Sequence, residues 1–310
     1  MNRSSCNSTF TKELLAPIYG VEMCVALVGN IVALWLLVNK EKKKWHMGVV
    51  FSCNLIISDI FYALTLPLLI DYYSRRGDWI FGEALCKIEH FLFTCNLYVS
   101  IYFIMCISVH RYLAIVHPIF TRKYISPKHA KIISLFVWIF VASISSPIFY
   151  YSGLKQTRCY LFAKLGKSNM SNPRVFMAAL GCLVPFVVTF ASYFGVIMAV
   201  FKNANITPLQ KKKVALIVGL VCVLYAVSFV PYHILQIWHF KLRQNNKTNC
   251  SVRNGYQVSK ALACLNMCLH PILYMAVFDS IRALCCRWKS NLSNVEITGE
   301  QSFKDLELKS

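Results

Sequence analysis

Residues 21–44, VEMCVALVGNIVALWLLVNKEKKK, decide the fold. The apolar run that contains them extends from 14 to 38, and crossing a hydrocarbon core takes about 20 residues. Lys40, Lys42, Lys43 and Lys44 follow at once. Basic clusters beside a span mark its cytoplasmic end. Six further stretches repeat the pattern, at 47–73, 84–116, 130–151, 174–201, 213–240 and 255–278. Arg122, Lys123 and Lys128 follow the third span. Lys202, Lys211, Lys212 and Lys213 follow the fifth, and Arg282, Arg287 and Lys289 the seventh. All four clusters agree, so the N-terminus is outside and the C-terminus inside. Residues 1–13 lack the order of a cleavable signal peptide, and the first span is expected to insert as its own signal.

Composition agrees with lipid as the main solvent. Of 310 residues, 57% are hydrophobic and 15% charged, against roughly 25% charged in soluble domains. The net charge of +20 raises a nucleic-acid polymer as partner. The basic residues lie in short clusters between apolar runs, which argues against that reading. The chain therefore reads as an all-α, multi-pass plasma-membrane protein in three parts: an extracellular N-terminus (1–13), a seven-helix domain (14–278), and a cytoplasmic amphipathic helix and tail (279–310).

Four spans read as cleanly apolar. The third, sixth and seventh carry Asn96, Ser100, His233, Gln236, Lys260, Asn266 and His270. Polar groups inside a span are costly and normally face the bundle interior, so these suggest a central polar pathway. Asp59, mid-way along the second span, needs a partner or a proton. Pro67, Pro147, Pro185, Pro231 and Pro271 punctuate five spans. Neighbouring helices and water re-satisfy the carbonyls that proline frees, so a kinked bundle is expected.

Sequons at Asn2, Asn7, Asn169, Asn246 and Asn249 all fall outside, as glycosylation requires. Of 14 cysteines, four lie on the outer side: Cys6, Cys86, Cys159 and Cys250. An even number there fits two disulfides, with three pairings open.

An ordered set of markers runs through the chain. They are Gly29-Asn30, Asn54-Leu55 with Asp59, Cys86, and His110-Arg111-Tyr112. Trp138 and Pro147 follow, then Pro185 and Tyr193, Phe229-Val230-Pro231-Tyr232, and His270-Pro271-Ile272-Leu273-Tyr274. In this order they resemble a rhodopsin-like (class A) G-protein-coupled receptor over essentially the whole length. The resemblance implies that Arg111 meets the C-terminal helix of a heterotrimeric G protein, with Tyr112, Tyr193 and Tyr274 serving coupling. It implies arrestin and receptor kinases as further partners. The family places an acid before this arginine; here His110 stands there and cannot form the resting ion pair. Asp59, Ser100 and Asn266 match an allosteric sodium site, the one metal implied, although His270 replaces the usual asparagine or aspartate. A hydrogen-bonded or protonated Asp59 is the alternative. The resemblance pairs Cys86 with Cys159, and Cys6 with Cys250. Cys285 and Cys286 are palmitoylation candidates or unmodified thiols.

Within that family the chain is most similar to purinergic nucleotide receptors, especially the eleventh, ATP-responsive subtype. Asp78-Trp79-Ile80-Phe81-Gly82, Phe91-Leu92-Phe93-Thr94-Cys95-Asn96, Val230-Pro231-Tyr232-His233 and Cys268-Leu269-His270-Pro271 carry the likeness. It implies a triphosphate clamp of three basic side chains. The corresponding positions hold His90, Gln236 and Lys260, and only Lys260 is fully charged at neutral pH. Thr94, Tyr98, Arg158, Tyr232, His233 and Gln257 complete the implied pocket.

The outer face is basic, whether as an anion funnel or as a solvated rim. Arg75, Arg76, Arg158 and Arg253 contribute, and Asp71, Asp78, Glu83 and Glu89 are the nearest acids. The expected ligand is a small extracellular anion, a nucleotide such as ATP, read out as calcium or cyclic AMP. A nucleoside diphosphate, a nucleotide sugar, a carboxylate metabolite or an acidic lipid is the alternative. A transporter or channel would ordinarily show repeats or paired broken helices. An enzyme would need a catalytic constellation, and no such motif is present.

Overall fold

The computed structural model of the protein describes residues 11–40, 47–161, 179–204, 206–245 and 249–277. Among the described residues, six helical spans are long and apolar enough to cross a membrane: Lys12–Asn39, Met47–Ser74, Gly82–Val116, Pro127–Tyr151, Leu180–Lys202 and Lys211–Leu242. The seventh helix, Cys250–Val277, runs 28 residues. It is more polar because Gln257, Lys260, Asn266 and His270 all turn inward. The expected helix after it lies outside the described residues, as do Asn2, Asn7, Cys6, Asn169, Asn246, Cys285 and Cys286.

The prolines act in three ways. Pro67 and Pro147 each interrupt a span: Met47–Ala63 resumes as Leu66–Ser74, and Pro127–Ser145 resumes as Pro147–Tyr151. Pro185 follows a π-helical turn, Ala179–Leu183. The hydroxyls of Tyr102 and Tyr225 donate to the carbonyls of Leu180 and Cys182 in that turn, at 2.8 and 3.2 Å. Pro231 and Pro271 stay inside continuous helices. Pro271 has no N–H for the carbonyl of Met267, and Asn30 donates to that carbonyl at 2.8 Å.

Side-chain amides join the spans. Asn54 accepts from Trp138 Nε1 at 2.9 Å and donates to Ser134 Oγ at 3.3 Å, tying the second span to the fourth. Gly181 and Gly195 let rings sit directly on the fifth span. A Cβ at either would collide with Tyr98 or Tyr112, respectively.

Among the described residues, one short pair of strands accompanies the all-α bundle. Between the fourth and fifth spans, Gly153–Lys155 pairs antiparallel with Arg158–Tyr160. One correction concerns the first span, which is not simply apolar. It buries Glu22 in the stripe Tyr19, Glu22, Ala26, Asn30, Ala33, Leu37. This is the three-and-four spacing of an inward helix face.

Candidate functional site

The outer hairpin is held over the bundle by covalent and polar ties. Cys86, at the outer end of the third span, is bonded to Cys159. The Trp79 amide donates to the Thr157 carbonyl at 2.7 Å, and its indole donates to the Gly82 carbonyl at 2.8 Å. These ties set Arg158, the neighbour of Cys159, at the mouth of an outward-facing cavity. Cys86, His90 and Cys159 lie close enough to suggest a metal cage. Two of the three sulfur and nitrogen donors are spent in the disulfide, so no thiolate remains to bind an ion. Cys250 is also disulfide-bonded.

Arg76, Arg158 and Arg253 face the cavity, with Tyr72, Tyr73 and Tyr256 among its aromatic walls. Tyr73 donates to Gln257 Oε1 at 2.6 Å, which orients the seventh helix against the second span. Of the residues expected to bind ligand, His90, Arg158, Gln257 and Lys260 line this cavity. Thr94, Tyr98, Tyr232, His233 and Gln236 do not; they are buried beneath it. Thr94 spends its hydroxyl on the His90 carbonyl at 2.8 Å. Gln236 donates to Tyr232 Oη at 2.9 Å. His233 stacks on Tyr98 with centroids 5.9 Å apart, and neither of its ring nitrogens has a hydrogen-bond partner among the described residues.

The floor of the cavity corrects two expectations. Glu89, expected among the acids of the outer rim, is fully buried. Lys260, expected to be the one fully charged member of the anion clamp, donates to Glu89 Oε1 at 3.0 Å. His90 Nδ1 stands 3.0 Å from the other oxygen, too poorly aligned for a hydrogen bond. Lys260 Nζ also lies 4.5 Å from the centre of the Phe93 ring, a cation–π distance. Losing either member of the pair would strand a buried charge. The register carried a signal for this arrangement. Glu89 lies seven residues, two helical turns, before Asn96, and Cys86, Glu89, Phe93, Asn96 and Ser100 share the inward face.

A second polar layer lies at the bundle's centre. Asn96 donates to Asp59 Oδ1 at 2.9 Å and to Ser58 Oγ at 3.1 Å. His270 Nδ1 meets Asp59 Oδ2 at 2.7 Å; opposite a carboxylate, that nitrogen carries the proton. Ser100 and Asn266 are buried nearby, but neither bonds to Asp59 among the described residues. Both carboxylate oxygens therefore meet protein donors. A sodium ion here would share these oxygens with His270 and Asn96, because a carboxylate has about four lone-pair sites and each oxygen meets one donor.

At the inner end, His110, Arg111 and Tyr112 are half-buried. Tyr112 packs edge-on to His117, with centroids 5.9 Å apart. Arg111 lies within electrostatic reach of the buried Tyr193. The side chain of Tyr274 lies outside the described residues. Asn249, an expected glycosylation site, accepts from the amides of Ser251 and Val252 at 2.9 and 3.2 Å and caps the seventh helix.

Comparison with known proteins matches residues 29–274 to the family described as 7 transmembrane receptor (rhodopsin family). Purinoceptor 11 of Homo sapiens is 37% identical over 311 residues, covering 90% of this chain and 83% of that protein. Purinoceptor 1 of Homo sapiens is 36% identical over 282 residues, covering 86% and 75%. Purinoceptor 1 of Gallus gallus is 34% identical over 281 residues, covering 86% and 77%.

Proposed function

Since the chain belongs to the rhodopsin family of seven-transmembrane receptors, and within it to the purinoceptors, we propose that its outward-facing cavity receives an extracellular nucleotide. It is a multi-pass membrane receptor and not an enzyme. One observation carries the reading of the ligand. Arg76, Arg158 and Arg253 converge on an aromatic-walled cavity, a combination suited to an anionic group joined to a planar ring. Guanidinium forks hold phosphate oxygens in pairs, and the tyrosine rings offer stacking faces.

The phosphate-binding end therefore lies at the mouth. Arg158 takes the principal role, while Gln257 and His90 shape the deeper wall. Binding there is passed through the Asp59–Asn96–His270 layer to Arg111, where a heterotrimeric G protein docks with Tyr112, Tyr193 and Tyr274. Calcium and cyclic AMP are the second messengers expected, and arrestin and receptor kinases the partners that end signalling.

The test is a panel of nucleotides, nucleotide sugars, carboxylates and acidic lipids on expressing cells, with calcium and cyclic AMP read in parallel. A nucleotide should be the active class. Arg158→Ala should weaken it roughly 10- to 100-fold, as expected for a charge-assisted hydrogen bond of about 1.5–3 kcal/mol. A response confined to carboxylates or lipids, or one indifferent to Arg158→Ala at normal surface expression, overturns the proposal.

A further inference from the structure

The floor of the cavity contains a carboxylate where an anion site would be expected to hold only cations. Glu89 is completely buried, its Oε1 accepts from Lys260 at 3.0 Å, and both residues line the cavity. Its Oε2 faces His90 Nδ1 at 3.0 Å without a well-aligned donor. The one fully charged cation of the expected clamp is thus already neutralised from within the chain. The positive charge that remains is arginine, at the mouth: Arg76, Arg158 and Arg253.

We propose that Glu89 is the residue that sets the charge selectivity of this cavity, by cancelling Lys260 and so favouring nucleotides of one or two phosphates over triphosphates. The inference rests on the nucleotide reading above and names the class of nucleotide. A short phosphate chain spans the arginine mouth and stops there. A longer chain sends its terminal phosphate toward a floor whose nearest anion is Glu89. Glu89 and Lys260 together are neutral, so the floor offers a terminal phosphate no net attraction to offset the water it gives up. Glu89 Oε2 is also a buried acceptor without an aligned donor, so a ligand hydroxyl or amine is a better occupant of the floor than a phosphate. Lys260 serves as Glu89's counter-ion, and its ammonium is held by the carboxylate and the Phe93 face together.

The experiment measures AMP, ADP and ATP affinities for the purified full-length receptor by thermal shift. It compares wild type, Glu89→Gln, and Glu89→Gln combined with Lys260→Gln. Glu89→Gln releases the lysine charge, and the preference for ATP over AMP should rise about tenfold, or about 1.4 kcal/mol. In the double variant the floor is neutral again, as in wild type, and the ratio should return to the wild-type value. This comparison holds even if Glu89→Gln alone fails to fold. If Lys260 instead clamps phosphate with its own charge, the double variant loses ATP preference about tenfold, and the proposal is overturned. An unchanged ratio in a folded Glu89→Gln overturns it too and leaves the nucleotide reading intact. Failure of all three nucleotides on wild type and variants alike overturns both.

Discussion

Asn30 Nδ2 donates at 2.8 Å to the carbonyl of Met267, the carbonyl that Pro271, four residues later, has no N–H to serve. One amide of the first span thus completes the backbone of the seventh, at the point where that helix would otherwise expose an acceptor to an apolar interior. The same Nδ2 donates to Ala26 at 2.9 Å. Gly29 allows the approach: a Cβ there would stand 3.2 Å from Pro271 Cγ.

Asn30→Val removes this donor at similar bulk. The detergent-solubilised receptor should lose about 1–3 kcal/mol, the cost of leaving a buried acceptor unsatisfied. Thermal unfolding checks this, and an unchanged melting temperature would show that water or another donor serves Met267.

A sodium ion would have to share the carboxylate of Asp59 with Asn96 and His270, which weakens its hold, so replacing sodium by choline in the medium should leave agonist affinity unchanged. His270→Asn removes the ring that meets Oδ2 and restores the residue type the family uses there. That variant should become sodium-sensitive, with a shift of about fivefold or more, the lower range of allosteric coupling. Radioligand binding in the two media separates the outcomes. A sodium effect of that size on wild type would count against the assignment.

Tyr98 lies against Gly181, where an added Cβ would collide with its ring. Both residues are buried, so the ring has little room to retreat. Gly181→Ala should cost about 1–3 kcal/mol, as overpacking usually does. Thermal unfolding of the solubilised receptor measures it. Tyr98→Phe keeps the ring and should not relieve the clash, whereas Tyr98→Leu should recover part of the loss.

His110 occupies the position before Arg111 where an acid would restrain the arginine. His110→Asp adds that acid. An ion pair of about 1 kcal/mol would lower the active fraction roughly fivefold. Basal second-messenger output at matched surface expression measures it, and no fall would show that the resting state is held elsewhere.

Much of this is legible in the chain because lipid imposes length and charge rules on any segment that crosses it. The seven spans, their direction and the placement of Arg111 require no tertiary information. Glu22 and Glu89 are legible in principle, since each lies on a stripe of three-and-four spacing with inward residues. Position disguises Glu89, which stands near an apparent span end, where a charge ordinarily faces water. The hairpin Gly153–Tyr160 carries no periodic signal, being two strands of three residues.

What the sequence determined by itself was therefore the class of molecule, its seven crossings and its two polar ends. These depend on properties local to each segment: its apolar length, its flanking lysines and arginines, and its prolines. Only the tertiary structure decided which polar groups meet. Glu89 and Lys260 are 171 residues apart in sequence and 3.0 Å apart in space, as are Asp59 and His270 across 211 residues at 2.7 Å. Pairings of that kind depend on the rotation and depth of each helix, which packing sets, so charges that read as free in the chain are already answered in the fold.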